Sequence, residues 1–109
     1  MRKINVGHIT IAGEDYPAIV NVRIIMQLQK QGIEIDRIFD SDAVEWEKIL
    51  KFLTCMINEG YRLINSELRV TEDEISEILT IAEIKNITAQ LSILFGNTGR
   101  TVEAEPPKN

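Results

Sequence analysis

The stretch DSDAVEWEKILKFLTCMINEGYRLIN, residues 40–65, carries the strongest helical pattern of the chain. At about 100° per residue, the following apolar side chains fall on one stripe of a helix: Trp46, Ile49, Leu50, Leu53, Ile57, Tyr61 and Ile64. Ser41 or Asp42 is the predicted N-cap, and Glu45 follows Asp42 at capping-box spacing. Gly60 weakens the last turn, so we expect the helix to end or bend there.

The N-terminal part of the chain predicts a β-hairpin. Residues 3–11, KINVGHITI, are rich in β-branched side chains and partly alternate between apolar and polar. AGED, around Gly13, supplies the turn, and YPAIV at 16–20 is the returning strand. Because Pro17 has no N–H for a ladder, this strand is expected at an edge or paired on one side only.

A short helix is predicted next, over residues 22–31. Asn21 is a suitable N-cap, and Gly32 ends the helix. Residues 33–39, IEIDRIF, match both strand and helix spacing, and we interpret them as a loop with a helical turn.

The last predicted helix spans about 72–95, with Thr71 and Glu74 as a capping box and Gly96 as its end. Its apolar residues occupy two faces, offset by more than about 90° on a helical wheel: Ile75, Ile78, Leu79 and Ala82, then Ile84, Ile87, Leu91, Leu94 and Phe95. The shift falls around Lys85 and Asn86. Either the helix breaks or kinks there and returns both halves to one core, or the second half packs on another subunit.

Length and composition favour one small domain. The chain has 109 residues, of which 44% are hydrophobic and 27% charged, as in ordinary soluble proteins. We predict an α+β, predominantly helical fold, with an N-terminal β-hairpin followed by one short and two long helices. The domain covers residues 1–96, and residues 97–109, which lack periodicity and contain two prolines, form a disordered tail.

Charge and cysteine content exclude several classes of function. The net charge of −5 disfavours binding to nucleic acid and to anionic membrane surfaces. No apolar run reaches the roughly 20 residues needed to cross a bilayer, and the N-terminus is typical of a strand rather than a signal peptide. The single cysteine, Cys55, fits a reducing cytoplasm.

The residue chemistry predicts neither catalysis nor a metal or cofactor site. His8 is the only histidine, so any nucleophile–histidine pair would have to include it, and we expect it on a strand surface. His8 and Cys55 are too few to form a zinc site. Glu14 and Asp15 beside Tyr16 have no identifiable acid–base partner, so we assign them to the hairpin turn. An enzyme is therefore not expected.

Of the two long helices, the first extends its apolar face beyond the main stripe, more widely than a short hairpin and one small helix need, and the second has the two offset faces. Either the first of them is a fully buried central helix, or the surplus marks a surface for a partner or a second copy. The candidate residues of that surface are Phe52, Met56, Leu63, Ile87, Leu91, Leu94 and Phe95.

The order of these elements, with the residues that mark them, resembles a known family. The hairpin carries I-x-I-x-G-x-x-Y-P at 9–17, and a small helix ends in QKQGI at 29–33. An acidic linker and a long helix with MINEG at 56–60 follow, and VTEDEI at 70–75 opens the last helix. Over roughly residues 4–95 this pattern is similar to the tail assembly chaperones of long-tailed bacteriophages and their prophages.

The resemblance implies a mostly helical, non-enzymatic protein that is absent from the finished virion. Such chaperones bind the tape-measure protein and keep it soluble while the tail tube polymerises around it, which makes the tail-tube protein a second candidate partner. They self-associate, and many families produce a longer form by ribosomal frameshifting. The alternative is a small cytoplasmic interaction or adaptor module unrelated to phages.

Overall fold

A two-stranded antiparallel hairpin precedes the helices, which confirms the predicted α+β, predominantly helical fold class. The computed structural model describes residues 5–38 and 45–97, with backbone only for Asp36 and residues 92–97. The elements are β1 (Gly7–Ile11), β2 (Glu14–Ala18), α1 (Val22–Lys30), a 3₁₀ turn (Ile35–Arg37), α2 (Trp46–Leu63), α3 (Glu72–Ile78) and α4 (Ile81–Asn97). The predicted tail, apart from Asn97, lies outside the described residues.

The hairpin turn consists of Ala12 and Gly13 alone. Both have positive φ, 54° and 82°, as a two-residue type I′ turn requires. Glu14 and Asp15, predicted in the turn, therefore belong to β2 instead. Pro17 pairs with His8. Counted from the turn, this is the second non-hydrogen-bonded pair, in which the backbone N–H and C=O of both residues point away from the partner strand. The missing N–H of Pro17 consequently costs no inter-strand hydrogen bond.

Ala12 is a poor choice for its backbone conformation, because a left-handed φ brings its Cβ close to the following carbonyl. We expect Ala12→Asn, which creates the Asn-Gly pair favoured in type I′ turns, to raise the free energy of unfolding by about 0.5–1 kcal/mol. Urea unfolding followed by circular dichroism measures it. A loss of stability would contradict the assigned turn.

The ends of α1 confirm the predicted signals. The Asn21 side chain accepts a hydrogen bond from the Ile24 N–H, and Gly32, with φ of 80°, follows the last turn. Gly32 N–H bonds to Gln29 O at 3.0 Å and Ile33 N–H to Leu28 O at 2.9 Å, the two bonds of a Schellman motif. Burial of the Leu28 and Ile33 side chains fixes this exit from the helix.

The start and end of α2 both differ from the prediction. Glu45 is the N-cap rather than the third helical residue, and its carboxylate lies 2.8 Å from Lys48 Nζ instead of capping backbone. Ser41 and Asp42 lie outside the described residues. The helix continues past Gly60, and Asn65, with φ of 62°, ends it. There Asn65 N–H donates to the carbonyl of Arg62, and Ser66 N–H donates to the carbonyl of Tyr61.

The last predicted helix is two helices, and the break lies earlier than expected. Leu79 is extended, and Thr80 starts α4 by accepting a hydrogen bond from the Glu83 N–H. The Thr71–Glu74 capping box of α3 is confirmed. Because the break lies at 79–80 rather than near Asn86, α3 and α4 are each free to adopt their own rotation about the helix axis. Both can therefore turn their apolar face towards one core.

One hydrophobic core joins the hairpin and the helices. Its members are Ile9, Ile11, Ala18, Val20, Ile24, Leu28, Ile33, Ile38, Ile49, Phe52, Leu53, Met56, Ile57, Ile75, Ile87 and Leu91. Helix α2 crosses the centre, with β2, α1 and α3 against it, while α4 lies on β1. The buried stripe of α2 is therefore centred on Leu53 and Met56, and Trp46 and Ile64 at its ends are exposed.

Candidate partner-binding surface

Most residues of the predicted partner surface lie inside this core. Phe52, Met56, Ile87 and Leu91 are buried, and Leu63 is half-buried. The side chains of Leu94 and Phe95 lie outside the description. In this conformation the four buried side chains already pack within the chain, so a partner can reach them only if an element moves. Their contact with a partner stays a prediction.

Other large apolar side chains are exposed. On α1, Val22 and Met26 are 68% and 53% exposed and lie one turn apart. Trp46, Ile64, Leu68 and Ile81 are also exposed. Sequence periodicity missed Val22 and Met26 because α1 is short and its buried stripe, Ile24 and Leu28, takes only part of its circumference.

Helix α2 is connected to its neighbours by three consecutive residues. Asn58 contacts the loop before α3, Glu59 contacts α1, and Gly60 contacts the hairpin. The Asn58 amide pairs with the backbone of Val70: Oδ1 accepts from the N–H at 2.8 Å, and Nδ2 donates to the carbonyl at 2.9 Å. This pair holds the entry to α3 in the way that a neighbouring strand would.

Replacing Asn58 by alanine removes both partners of the Val70 backbone. We expect a loss of about 1–2 kcal/mol in the free energy of unfolding, because partly buried backbone groups are left without partners. Urea unfolding measures it. Asn58→Asp is the matched control: it keeps the acceptor, loses the donor and brings a carboxylate towards the Val70 carbonyl, so it should not restore stability. Recovery by aspartate would contradict the assigned geometry.

Among the described residues, Glu59 is the one buried charged side chain, with 5% of it exposed. Arg62 Nη2 and Asn21 Nδ2 each donate to its Oε2 at 2.8 Å, and Arg62 Nε to Oε1 at 3.0 Å. Arg23 Nε lies 3.4 Å from Oε1. Since Asn21 also caps α1, one carboxylate fixes the start of α1 against α2.

The Arg62 hydrogen bonds, assisted by Asn21 and the charge of Arg23, lower the pKa of Glu59 from 4.5 to about 2 against the opposing effect of burial. A carboxyl whose folded pKa lies below its unfolded one stabilises the fold above pH 4.5. That contribution is lost as the pH falls from 4.5 towards 2.

We therefore expect the free energy of unfolding of the wild type to fall between pH 6 and pH 3 by about 1–2 kcal/mol more than that of Glu59→Gln. The figure is discounted because Arg62 and Arg23 are about half exposed. Urea unfolding at both pH values measures it. Parallel pH dependences of the two proteins would contradict the assigned role of Glu59.

Gly60 faces the hairpin without a side chain between them. A Cβ built there would lie 2.6 Å from the carbonyl carbon of Pro17 and 2.7 Å from the nitrogen of Ala18. Nearby, Ile19 N–H bonds to Met56 O at 3.3 Å. Helix α2 and the end of β2 thus meet backbone to backbone, which explains a glycine inside a helix.

The polar residues considered for chemistry belong to three different elements, β1, β2 and α2. His8 is exposed on β1, as expected. Cys55 is half-buried on α2, where its Sγ lies 3.5 Å from Gln27 Oε1 and burial raises its pKa. Asp15 accepts a hydrogen bond from Thr10 Oγ1. Among the described residues, no group of three or more histidine, cysteine, aspartate or glutamate side chains is arranged to hold a metal ion.

A surface pocket of about 310 Å³ lies between the 3₁₀ turn and the start of α2. Its charged residues pair with one another, Arg37 with Glu34 at 3.3 Å and Lys48 with Glu45 at 2.8 Å. The pocket therefore presents no convergent charge to a ligand, and we do not take it as a site.

No family model, no curated protein and no solved structure matches this chain. Within residues 5–38 and 45–97, none of the helices combines the length and the apolarity needed to cross a membrane.

Proposed function

We propose that this chain is a non-enzymatic tail assembly chaperone of a long-tailed phage or prophage. It acts in the cytoplasm of the bacterial host, binds the tape-measure protein during tail morphogenesis and self-associates. Neither nucleic acid nor a membrane takes part, in keeping with the net charge of −5.

The observation that carries the proposal is that the residues of the resemblance meet at junctions of the fold. Gly60 of MINEG touches Pro17 of the Y-P pair, and Asn58 holds Val70 at the start of VTEDEI. Because these positions of the pattern contact one another, one architecture requires them together. A match at such positions supports the resemblance more than a match at scattered positions would. It supports the architecture directly, and the function through the family.

The binding test is co-expression of this chain with the tape-measure protein encoded nearest to it. We expect the tape-measure protein to become soluble and to co-purify with the chain, whereas alone it aggregates. The matched control is Asn58→Ala, which weakens the fold without changing an exposed residue.

Gene order provides an independent test. A gene between those of a tail-tube protein and a very long tape-measure protein supports the proposal. A gene beside a regulator, with a principal partner that is no tail protein, contradicts it and favours the adaptor.

A further inference from the structure

Positive and negative charges are segregated along this chain. Residues 16–33, which include α1, contain two basic residues and no acidic one. Residues 67–84, which include α3, contain six acidic residues and a single basic one, Arg69. The net charge of −5 is therefore the sum of segments of opposite sign rather than an even acidic coat.

The outer side of α1 is apolar and basic. Opposite its buried stripe, this helix exposes Val22, Met26 and Lys30. Lys30 has no ion pair within the described residues. Arg23, at the edge of this side, shares the one buried carboxylate of Glu59 with a second arginine. We call the following residues the α1 face: Val22, Arg23, Met26 and Lys30.

The outer side of α3 is acidic. Asp73 and Glu77 lie one turn apart and are exposed, whereas Ile75 between them is buried in the core. Glu67, in the loop before α3, is exposed as well. None of these three carboxylates forms an ion pair with another described residue. Their negative charge is therefore presented to whatever approaches this side of the molecule.

The loop before α3 also holds Leu68 in solvent, where 63% of it is exposed. Leu68 N–H donates to Ser66 Oγ at 3.1 Å, and Arg69 Nη1 donates to the carbonyls of Ser66 and Leu68 at 2.9 and 2.6 Å. Because the loop is already ordered, contact through Leu68 costs less conformational entropy than contact through a flexible loop. We call the following residues the acidic face: Glu67, Leu68, Asp73 and Glu77.

We propose that the α1 face of one copy of this chain binds the acidic face of a second copy. The inference rests on the self-association included in the proposed function, and it names the surfaces that associate. Both faces expose large apolar side chains and they carry opposite charge, so each complements the other. Within one chain, α1 and α3 both pack on α2, and no ion pair joins α1 to α3 among the described residues. Both faces are thus available to other copies.

A contact between two different surfaces is head-to-tail, so copies add to one another until a ring closes or a filament grows. Because the contact joins exposed opposite charges, salt weakens it. We expect sedimentation equilibrium of the wild type to give a mass that rises with protein concentration and falls when about 0.5 M sodium chloride is added. A wild type that is still monomeric at about 1 mM overturns the proposal.

Two variants block one face each. Met26→Glu introduces negative charge into the α1 face, and Leu68→Lys introduces positive charge into the acidic face. Both replace exposed side chains, so the fold should be kept. We expect each variant alone to associate at least about tenfold more weakly than the wild type. An equimolar mixture should form dimers, because one variant supplies an intact acidic face and the other an intact α1 face.

Ala89→Glu and Asn86→Lys are the matched controls, since they make the same changes of charge at exposed positions of α4. This helix packs mainly on β1, where the Gln90 amide pairs with the backbone N–H and carbonyl of Thr10. Both controls should associate like the wild type. The proposal is overturned if a control loses as much association as the blocking variants, if a blocking variant associates like the wild type, or if the mixture stays monomeric.

Co-expression with the tape-measure protein separates this inference from the proposed function. If the wild type self-associates and Met26→Glu does so equally well, the two faces are wrong and the proposed function is unaffected. If the mixture forms dimers as expected but the tape-measure protein is not bound, the two faces stand and the proposed function is contradicted.

Discussion

Replacing Gly60 by alanine is expected to lower the free energy of unfolding by about 2–3 kcal/mol, because a Cβ there meets backbone rather than a movable side chain. The nearest atoms belong to Pro17 and Ala18, which are held by the strand pairing of β2. Relief therefore requires the whole hairpin to move away from α2. The corresponding decrease in the melting temperature is about 10–20 °C for a chain of this size.

A second substitution separates this effect from helix propensity. Propensity alone ranks the variants at position 60 as alanine most stable, valine next and glycine least. The close approach to the hairpin predicts a different order, with glycine most stable, alanine next and valine least. Thermal and urea unfolding of the three proteins decides between them. An alanine variant as stable as the wild type would show that α2 and β2 do not meet as described.

Local signals in the sequence predicted the boundaries that depend on few residues. Asn21 and Gly32 delimit α1, and Thr71 with Glu74 starts α3, because a cap is satisfied within one turn of its own helix. The hairpin was also predicted, although its turn is shorter than expected. Glu14 and Asp15 were assigned to the turn because they are polar, yet the positive φ of Ala12 and Gly13 completes it in two residues.

The role of Gly60 could not be predicted, since a glycine in a helix gives the same local signal whether it ends the helix or lets another element approach. Only the position of the hairpin distinguishes the two. The break before α4, in contrast, had a readable signal. TIAE at 80–83 repeats the T-x-x-E spacing of TEDE at 71–74. The Thr80 side chain does accept a hydrogen bond from the Glu83 N–H at the start of α4.

The surplus apolar surface that the sequence predicts for α2 has an intramolecular explanation at Phe52 and Met56, which are both buried. The hairpin, α1 and α3 all pack on this helix, so a wide buried face is required. A buried central helix is one of the two alternatives that the sequence leaves open, and the sequence cannot decide between them because the three neighbours of α2 are not visible along one helix. The ties of Glu59, Asn58 and Gln90 were missed for the same reason: each joins residues at least 12 positions apart.

Replacing Asn21 by aspartate is expected to destabilise the fold by about 2–3 kcal/mol at neutral pH, although aspartate is as good an N-cap as asparagine. The helix dipole alone would make the substitution favourable. However, Asn21 Nδ2 donates to Glu59 Oε2 at 2.8 Å, so the new carboxylate replaces a donor to a buried anion with a second anion. Loss of a charge-assisted hydrogen bond and like-charge repulsion act together.

A double-mutant cycle with Glu59→Gln isolates that interaction. The glutamine amide can donate to the new carboxylate, so Asn21→Asp should cost at least about 1 kcal/mol less in this background. Thr80→Asp, at the exposed N-cap of α4, is the matched control and should stay within about 0.5 kcal/mol of the wild type. Additive costs in the cycle would mean that α1 and α2 are not joined through Glu59. If the cost of Asn21→Asp depends on Glu59 whereas that of Thr80→Asp does not, the Glu59 carboxylate sets the placement of α1 on the central helix. The placement of the exposed Val22 and Met26 follows from it.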